Sequence, residues 1–168
     1  MSGKLRLFIF VVAVIVVGRL VWVNLWSNRS YAPEQPIPFS HKLHAGDNHI
    51  PCLYCHTNAE RSRHSTVPAL NICMNCHSVV AVNKPNIMKL TEAYTQGKPI
   101  EWVRIHKLPE FAYFSHQVHI AKGFDCSRCH GPVETMERVR QFRVLNMGDC
   151  VTCHRQNGGP TSCNTCHQ

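Results

Sequence analysis

The chain has 168 residues, 18 Lys and Arg against 10 Asp and Glu, and a formal charge of +8. Its length, less an apolar amino terminus, leaves material for one ordinary domain, and the scarcity of long apolar runs there excludes a large core made of side chains alone. The basic excess is not interleaved with aromatics in any run, so nucleic acid is not expected as a partner.

In chain order, Lys4 and Arg6 precede an apolar stretch over residues 7–17, then Gly18 and Arg19, then a second stretch over 20–26 broken only by Asn24. Residues 7–17 alone have signal-peptide length, with Val16-x-Gly18 as a tolerable cleavage site. Read from 5 to 26, the segment is long enough to cross a bilayer, with Arg19 snorkelling near the outer end and Trp22 and Trp26 in the headgroup belt. No Ala-x-Ala site follows, which favours an uncleaved anchor. The two cations keep the amino terminus cytoplasmic, so residues 1–30 read as a single-pass transmembrane anchor with its flanks, and the rest as exported.

Residues 31–38 hold three prolines and read as an extended linker. Beyond them all ten cysteines fall in five Cys-x-x-Cys pairs, each followed at once by histidine: Cys52, Cys55 and His56; Cys73, Cys76 and His77; Cys126, Cys129 and His130; Cys150, Cys153 and His154; Cys163, Cys166 and His167. Two thiols at this spacing reach the two vinyl groups of one haem as thioethers, and the adjoining imidazole lands under the iron as proximal ligand. Zinc ribbons, disulfide frameworks and thioredoxin-like pairs also use Cys-x-x-Cys, but none requires histidine after every pair. Five covalent haem c groups are therefore expected. In bacteria such attachment takes place on the exported side, in agreement with the topology read from the amino terminus. The propionates of those haems would offset much of the positive charge.

A repeat organises the exported part. Phe39-Ser40-His41-x-x-His44 precedes the first motif, and Phe114-Ser115-His116-x-x-His119 precedes the third. The pentahaem domain, 39–168, divides accordingly into a two-haem module at 39–80, a bridge at 81–113 and a three-haem module at 114–168. Within the bridge, residues 87–96 are the best helix candidate and Gly97-Lys98-Pro99 a stop. Residues 100–105 alternate as a short strand or extended segment would. The fold class expected is a multihaem cytochrome c, mostly irregular, with short α-helices around covalent haems and one amino-terminal transmembrane helix.

Five proximal histidines leave His41, His44, His49, His64, His106, His116 and His119. Each iron has one open axial face, so two histidines three apart must serve two different haems; His41, His44, His116 and His119 are the expected distal ligands. That sharing is expected to interlock the modules. The alternative for such a pair is a zinc half-site or surface histidines. Met147, His106 and His64 compete for the fifth iron, while His49 reads as a surface or propionate contact.

On Phe39 to Gly46, Cys52 to Cys55 with Tyr54, Val67-Pro68 leading to Cys73 through His77, Trp102 to Phe114, the second Phe-Ser-His-x-x-His, and Met147 through Arg155, the chain resembles the pentahaem subunit of alternative complex III, a bacterial quinol-oxidising complex. The resemblance implies an electron-carrier subunit, not itself an enzyme, on the periplasmic side of the cytoplasmic membrane. Its partners would be an iron–sulfur subunit, integral membrane quinol-binding subunits, and a monohaem cytochrome c or terminal oxidase. Two rivals stand beside it. A membrane-anchored quinol dehydrogenase would carry Met shortly after the first motif, where Thr57 and Asn58 stand here. A multihaem reductase would need an iron with an open face, often marked by a Cys-x-x-Cys-Lys variant, which is lacking.

Overall fold

The structure, a computed structural model, describes residues 2–26 and 30–167, without the side chains of 23–26; the belt position expected of Trp26 lies outside the described residues. Helix α1, Gly3–Trp26, is apolar on every side, so nothing in its sequence directs one face to a core. Its 24 residues rise about 36 Å, enough for a hydrocarbon layer of about 30 Å. The window Gly3–Trp22 has a mean hydropathy of 2.4 and no buried residue. By length and composition, this is one helix able to cross a membrane.

The rest consists of short helices, turns and extended backbone, with no strand among the described residues. A π-helical turn, Lys42–Asp47, is followed by α2 (Cys52–Cys55), α3 (Leu70–His77), α4 (Pro85–Thr95), α5 (His116–Ala121), α6 (Ser127–His130), a 3-10 turn (Val133–Thr135), α7 (Met147–Gln156) and α8 (Cys163–Cys166). Local sequence explains the ends of several. Pro85 opens α4 where its missing N–H costs nothing. Gly97, at φ +65°, closes α4, with its own N–H on the Tyr94 carbonyl and that of Lys98 on Ala93, at 3.1 and 2.9 Å. Gly123 ends α5 in the same way, at φ +81°, which brings Phe124 onto the ring of His119. Asn146 and Asp149 cap α7 reciprocally at 3.1 Å, placing Met147 at the first helical position.

Two segments take their form from tertiary partners. Of the two forms the alternation over 100–105 allows, the structure has the extended segment: the N–H and C=O of Val103 bond the side-chain amide of Gln35, at 2.9 and 3.0 Å, and not another strand. Residues 31–38 are tied to the rest of the chain. Tyr31 accepts from the Gln141 N–H at 2.9 Å, Ile37 is buried, and Glu34 pairs with Arg138 at 3.3 Å.

Side chains alone do not fill the interior. Only Ile37, Ala59, Leu90, Gly131, Met136 and Gln141 are buried among the described residues, and no side chain is below 2% exposed. The accessible surface is 12632 Å², whereas a compact protein of 19.1 kDa has roughly 8,400 Å². Part of the excess is α1. The remainder comes from short helices and extended backbone that leave open bays, such as one lined by Met74, His77, Val82 and Met88.

Candidate haem attachment sites

One turn of helix spans each Cys-x-x-Cys, which puts the two sulfurs, three residues apart, on one side of the turn. The ten thiols are all free, so no disulfide competes for them. The histidine that follows closes the turn and points back across it; the N–H of His56 bonds the Cys52 carbonyl, that of His130 the Cys126 carbonyl and that of His167 the Cys163 carbonyl, at 2.9–3.0 Å.

The histidines then meet in twos. Ring centroids of His41 and His56 lie 6.5 Å apart, of His44 and His77 6.1 Å, of His116 and His130 6.3 Å, and of His119 and His154 6.0 Å. Two imidazoles on opposite faces of one iron, with metal–nitrogen bonds of about 2 Å, bring ring centres to about 6 to 6.5 Å. Each couple joins one motif histidine to one member of a His-x-x-His pair. No three or more His, Cys, Asp or Glu of the described residues gather in one group.

Orientation is fixed by the other ring nitrogen. A carbonyl oxygen only accepts, so an Nδ1 bonded to one must carry the proton, and the lone pair for a metal is then on Nε2. This holds for His44 on Ser40, His56 on Thr66, His77 on Val80, His116 on Arg63, His119 on Ser115, His154 on Pro160 and His167 on Phe111. Thr66 holds its carbonyl there at φ +55°, a strained position for a β-branched residue. Burial, then the neighbouring imidazoles, hold His41 and His130 at about 4, which keeps both rings neutral, the form that binds a metal. Burial also raises the thiols of Cys55, Cys73, Cys126, Cys129 and Cys150.

Each His-x-x-His pair faces motif histidines of its own stretch, 39–80 or 114–168, so the expected interlocking of the two stretches does not come from these ring couples. Their join is made by backbone: the N–H and Nδ1–H of His116 both reach the Arg63 carbonyl, at 3.2 and 2.8 Å, and Gln117 donates to Ser62 at 3.2 Å. Arg63 also sits 4.2 Å over the Tyr113 ring. On the other side, the π turn docks on the 3-10 turn so closely that a Cβ at Gly46 would strike the Glu134 carbonyl.

His167 stands apart. The ring facing it is Phe111, at 5.8 Å, and no second imidazole faces it among the described residues. Of the three candidates for that position, Met147 is 69% exposed at the start of α7, His64 is exposed, and His106 lies edge-on to His130 at 4.5 Å, with a buried Nε2 that has no partner. His49 is exposed at φ +53°.

The chain fits haem: imidazoles paired at 6.0–6.5 Å, thiols beside them, and few buried side chains. One bay, of about 430 Å³, lies between α3 and α4, lined by Met74, His77, Val82, Met88 and Thr91, so the bridge helix covers the second motif. Sequence reasoning missed the carbonyls of Arg63, Thr66 and Phe111, which aim three of the rings. A backbone acceptor has no signature in residue type.

Residues 112–168 match the family model described as cytochrome c7 and related cytochrome c. The chain is similar to a protein of Nitratidesulfovibrio vulgaris named menaquinone reductase, multiheme cytochrome c subunit, at 30% identity over 130 residues, 77% of this chain and 60% of that protein. It is also similar to cytochrome c3 of Desulfuromonas acetoxidans, at 33% identity over 54 residues, 32% of this chain and 76% of that one. The chain thus spans less than two thirds of the length of the larger relative.

Proposed function

We propose that this chain, a multihaem cytochrome c in its fold, is the electron-carrier subunit of a membrane quinone-linked respiratory complex, with five covalent haems on the outer side of the membrane. Haem bound at the five motifs supplies reversible one-electron iron chemistry. The residues of the chain hold it: the ten motif cysteines by thioethers, His56, His77, His130, His154 and His167 as proximal ligands, and His41, His44, His116 and His119 as distal ligands to the first four. Imidazole on both faces closes those irons to small substrates, which argues for a carrier and against a reductase.

The carrying observation is the set of four imidazole couples at 6.0–6.5 Å, each joining a motif histidine to a His-x-x-His histidine. Helix α1 supports a single-pass anchor, with its amino terminus cytoplasmic and the haem domain periplasmic. The module division at 39–80, 81–113 and 114–168 is part of this reading. For the fifth iron, Met147 is favoured over His64 and His106: it stands exposed at the start of α7, whereas the ring of His106 rests on that of His130.

The resemblance to the alternative complex III subunit supports quinol oxidation, with electrons received from an iron–sulfur subunit and passed to a monohaem cytochrome c or terminal oxidase. The name of the N. vulgaris relative favours a second reading, in which the same carrier feeds a menaquinone-reducing complex. The test of the shared reading is the intact mass of the purified chain with its low-temperature EPR spectrum. Five haem masses and at least four bis-imidazole low-spin signals are expected; a stable population at four haems, or high-spin signals at two or more sites, refutes it. Membranes separate the two directions, since quinol should reduce the cytochrome in the first and the reduced cytochrome should reduce menaquinone in the second.

A further inference from the structure

The order of attachment sites along the chain is not their order in space. Sites are numbered here by motif, from Cys52 as the first to Cys163 as the fifth. The first and second are neighbours: His41 caps one π turn and His44 lies within it, and the Asn75 amide reaches the Tyr54 hydroxyl at 3.0 Å from one motif to the other.

The third site, however, adjoins the first. His116, paired with His130 at the third, donates both its hydrogen bonds to the carbonyl of Arg63, seven residues beyond His56. The neighbouring Gln117 donates its N–H to the carbonyl of Ser62 at 3.2 Å. Lys42, beside His41, donates its N–H to the Met136 carbonyl at 3.0 Å and its ammonium to Glu137 at 3.3 Å, on the segment that leaves the third motif. Third and fourth are joined through His116 and His119 on α5. The fifth adjoins the fourth through residues 113–114: the Tyr113 N–H bonds the Cys166 carbonyl at 2.7 Å, and the ring of Phe114 lies 4.4 Å from that of His119.

We infer that the five attachment sites run in space as second, first, third, fourth, fifth, with the first and third meeting at the join between the modules. The inference rests on the reading that these histidines are axial ligands. Its consequence is that the terminal sites are those of His77, under α4, and His167, on α8, and redox partners have to approach these two. The first site, which opens the domain in sequence, is interior to the array. In a row that followed the sequence, the second site would make the join and the first would be terminal.

Single and double His→Met variants of His41, His44 and His116 in the full haem-loaded chain discriminate the two orders. Thioether ligation raises the potential of the site it enters, so each single variant labels its own low-spin signal in an EPR-monitored redox titration. Neighbouring sites feel each other's charge, so the His41→Met and His116→Met shifts should be non-additive and those of His44→Met and His116→Met additive. Coupling in the second pair, or additivity in the first, overturns the order while leaving the ligand reading intact. A single variant that leaves its own site unmoved refutes the ligand reading instead. Carbodiimide cross-linking reads the join without using the irons: a Lys42–Glu137 cross-linked peptide is expected at full haem loading, and its absence overturns the contact of the first and third sites.

Discussion

Gly131, the residue after His130, is a position where a single methyl group meets both backbone strain and a ring. Its φ of +75° and ψ of −169° fall in a region that essentially only glycine occupies. A Cβ there would also enter the ring of Phe142, at 2.6 and 2.8 Å from its Cδ atoms. Gly131→Ala therefore carries two costs, about 1–3 kcal/mol of backbone strain and about 1–3 kcal/mol of overpacking. Phe142 is 40% exposed and can swing outward, which puts the expected loss at about 2–4 kcal/mol. For a domain of this size that lowers the melting temperature by roughly 6–12 °C. Circular dichroism melting of the haem-loaded protein is the assay, with intact mass as the control that haem loading is unchanged. Gly131→Ala with Phe142→Ala removes the ring clash and should recover part of the loss, leaving the backbone component. A single variant that melts within about 2 °C of the parent would refute the geometry at this turn.

Three further outcomes are expected. Gly159→Ala puts a methyl 2.9 Å from Cγ of His154, so the ring must shift; the g-values of the fourth site should change while the other low-spin signals stay, as read by EPR. Gln35→Ala deletes both hydrogen bonds to Val103 and should cost about 1–2 kcal/mol, toward the low end for an exposed pair, seen in the denaturant midpoint. A chain with all ten cysteines changed to Ala, unable to hold haem covalently, should be cut by protease throughout residues 39–168 where the loaded protein resists, because so few of its side chains are buried.

Much of the chemistry was legible in the sequence because haem attachment is a local event. Two thiols and an imidazole within five residues need only one helical turn, so the five motifs could be read without a fold, and so could the apolar length of α1. The repeated Phe-Ser-His-x-x-His gave the supply of distal imidazoles. It did not give their pairing: which His faces which motif depends on backbone carbonyls as remote as Arg63 from His116 and Phe111 from His167.

What tertiary structure alone decided is neighbourhood. Sequence numbering makes the second and third motifs consecutive, and the 49 residues between Cys76 and Cys126 carry no instruction about where the chain returns. The return is set by long-range hydrogen bonds, from Ser62 and Arg63 to α5, from Met136 to the π turn and from Gln35 to Val103, whose partners share no periodicity. For the same reason His106, placed near the fifth site by no local rule, comes to rest on His130. Covalent capture of a haem is encoded within five residues, whereas the contact of one haem site with another is encoded in where a mostly irregular chain crosses itself.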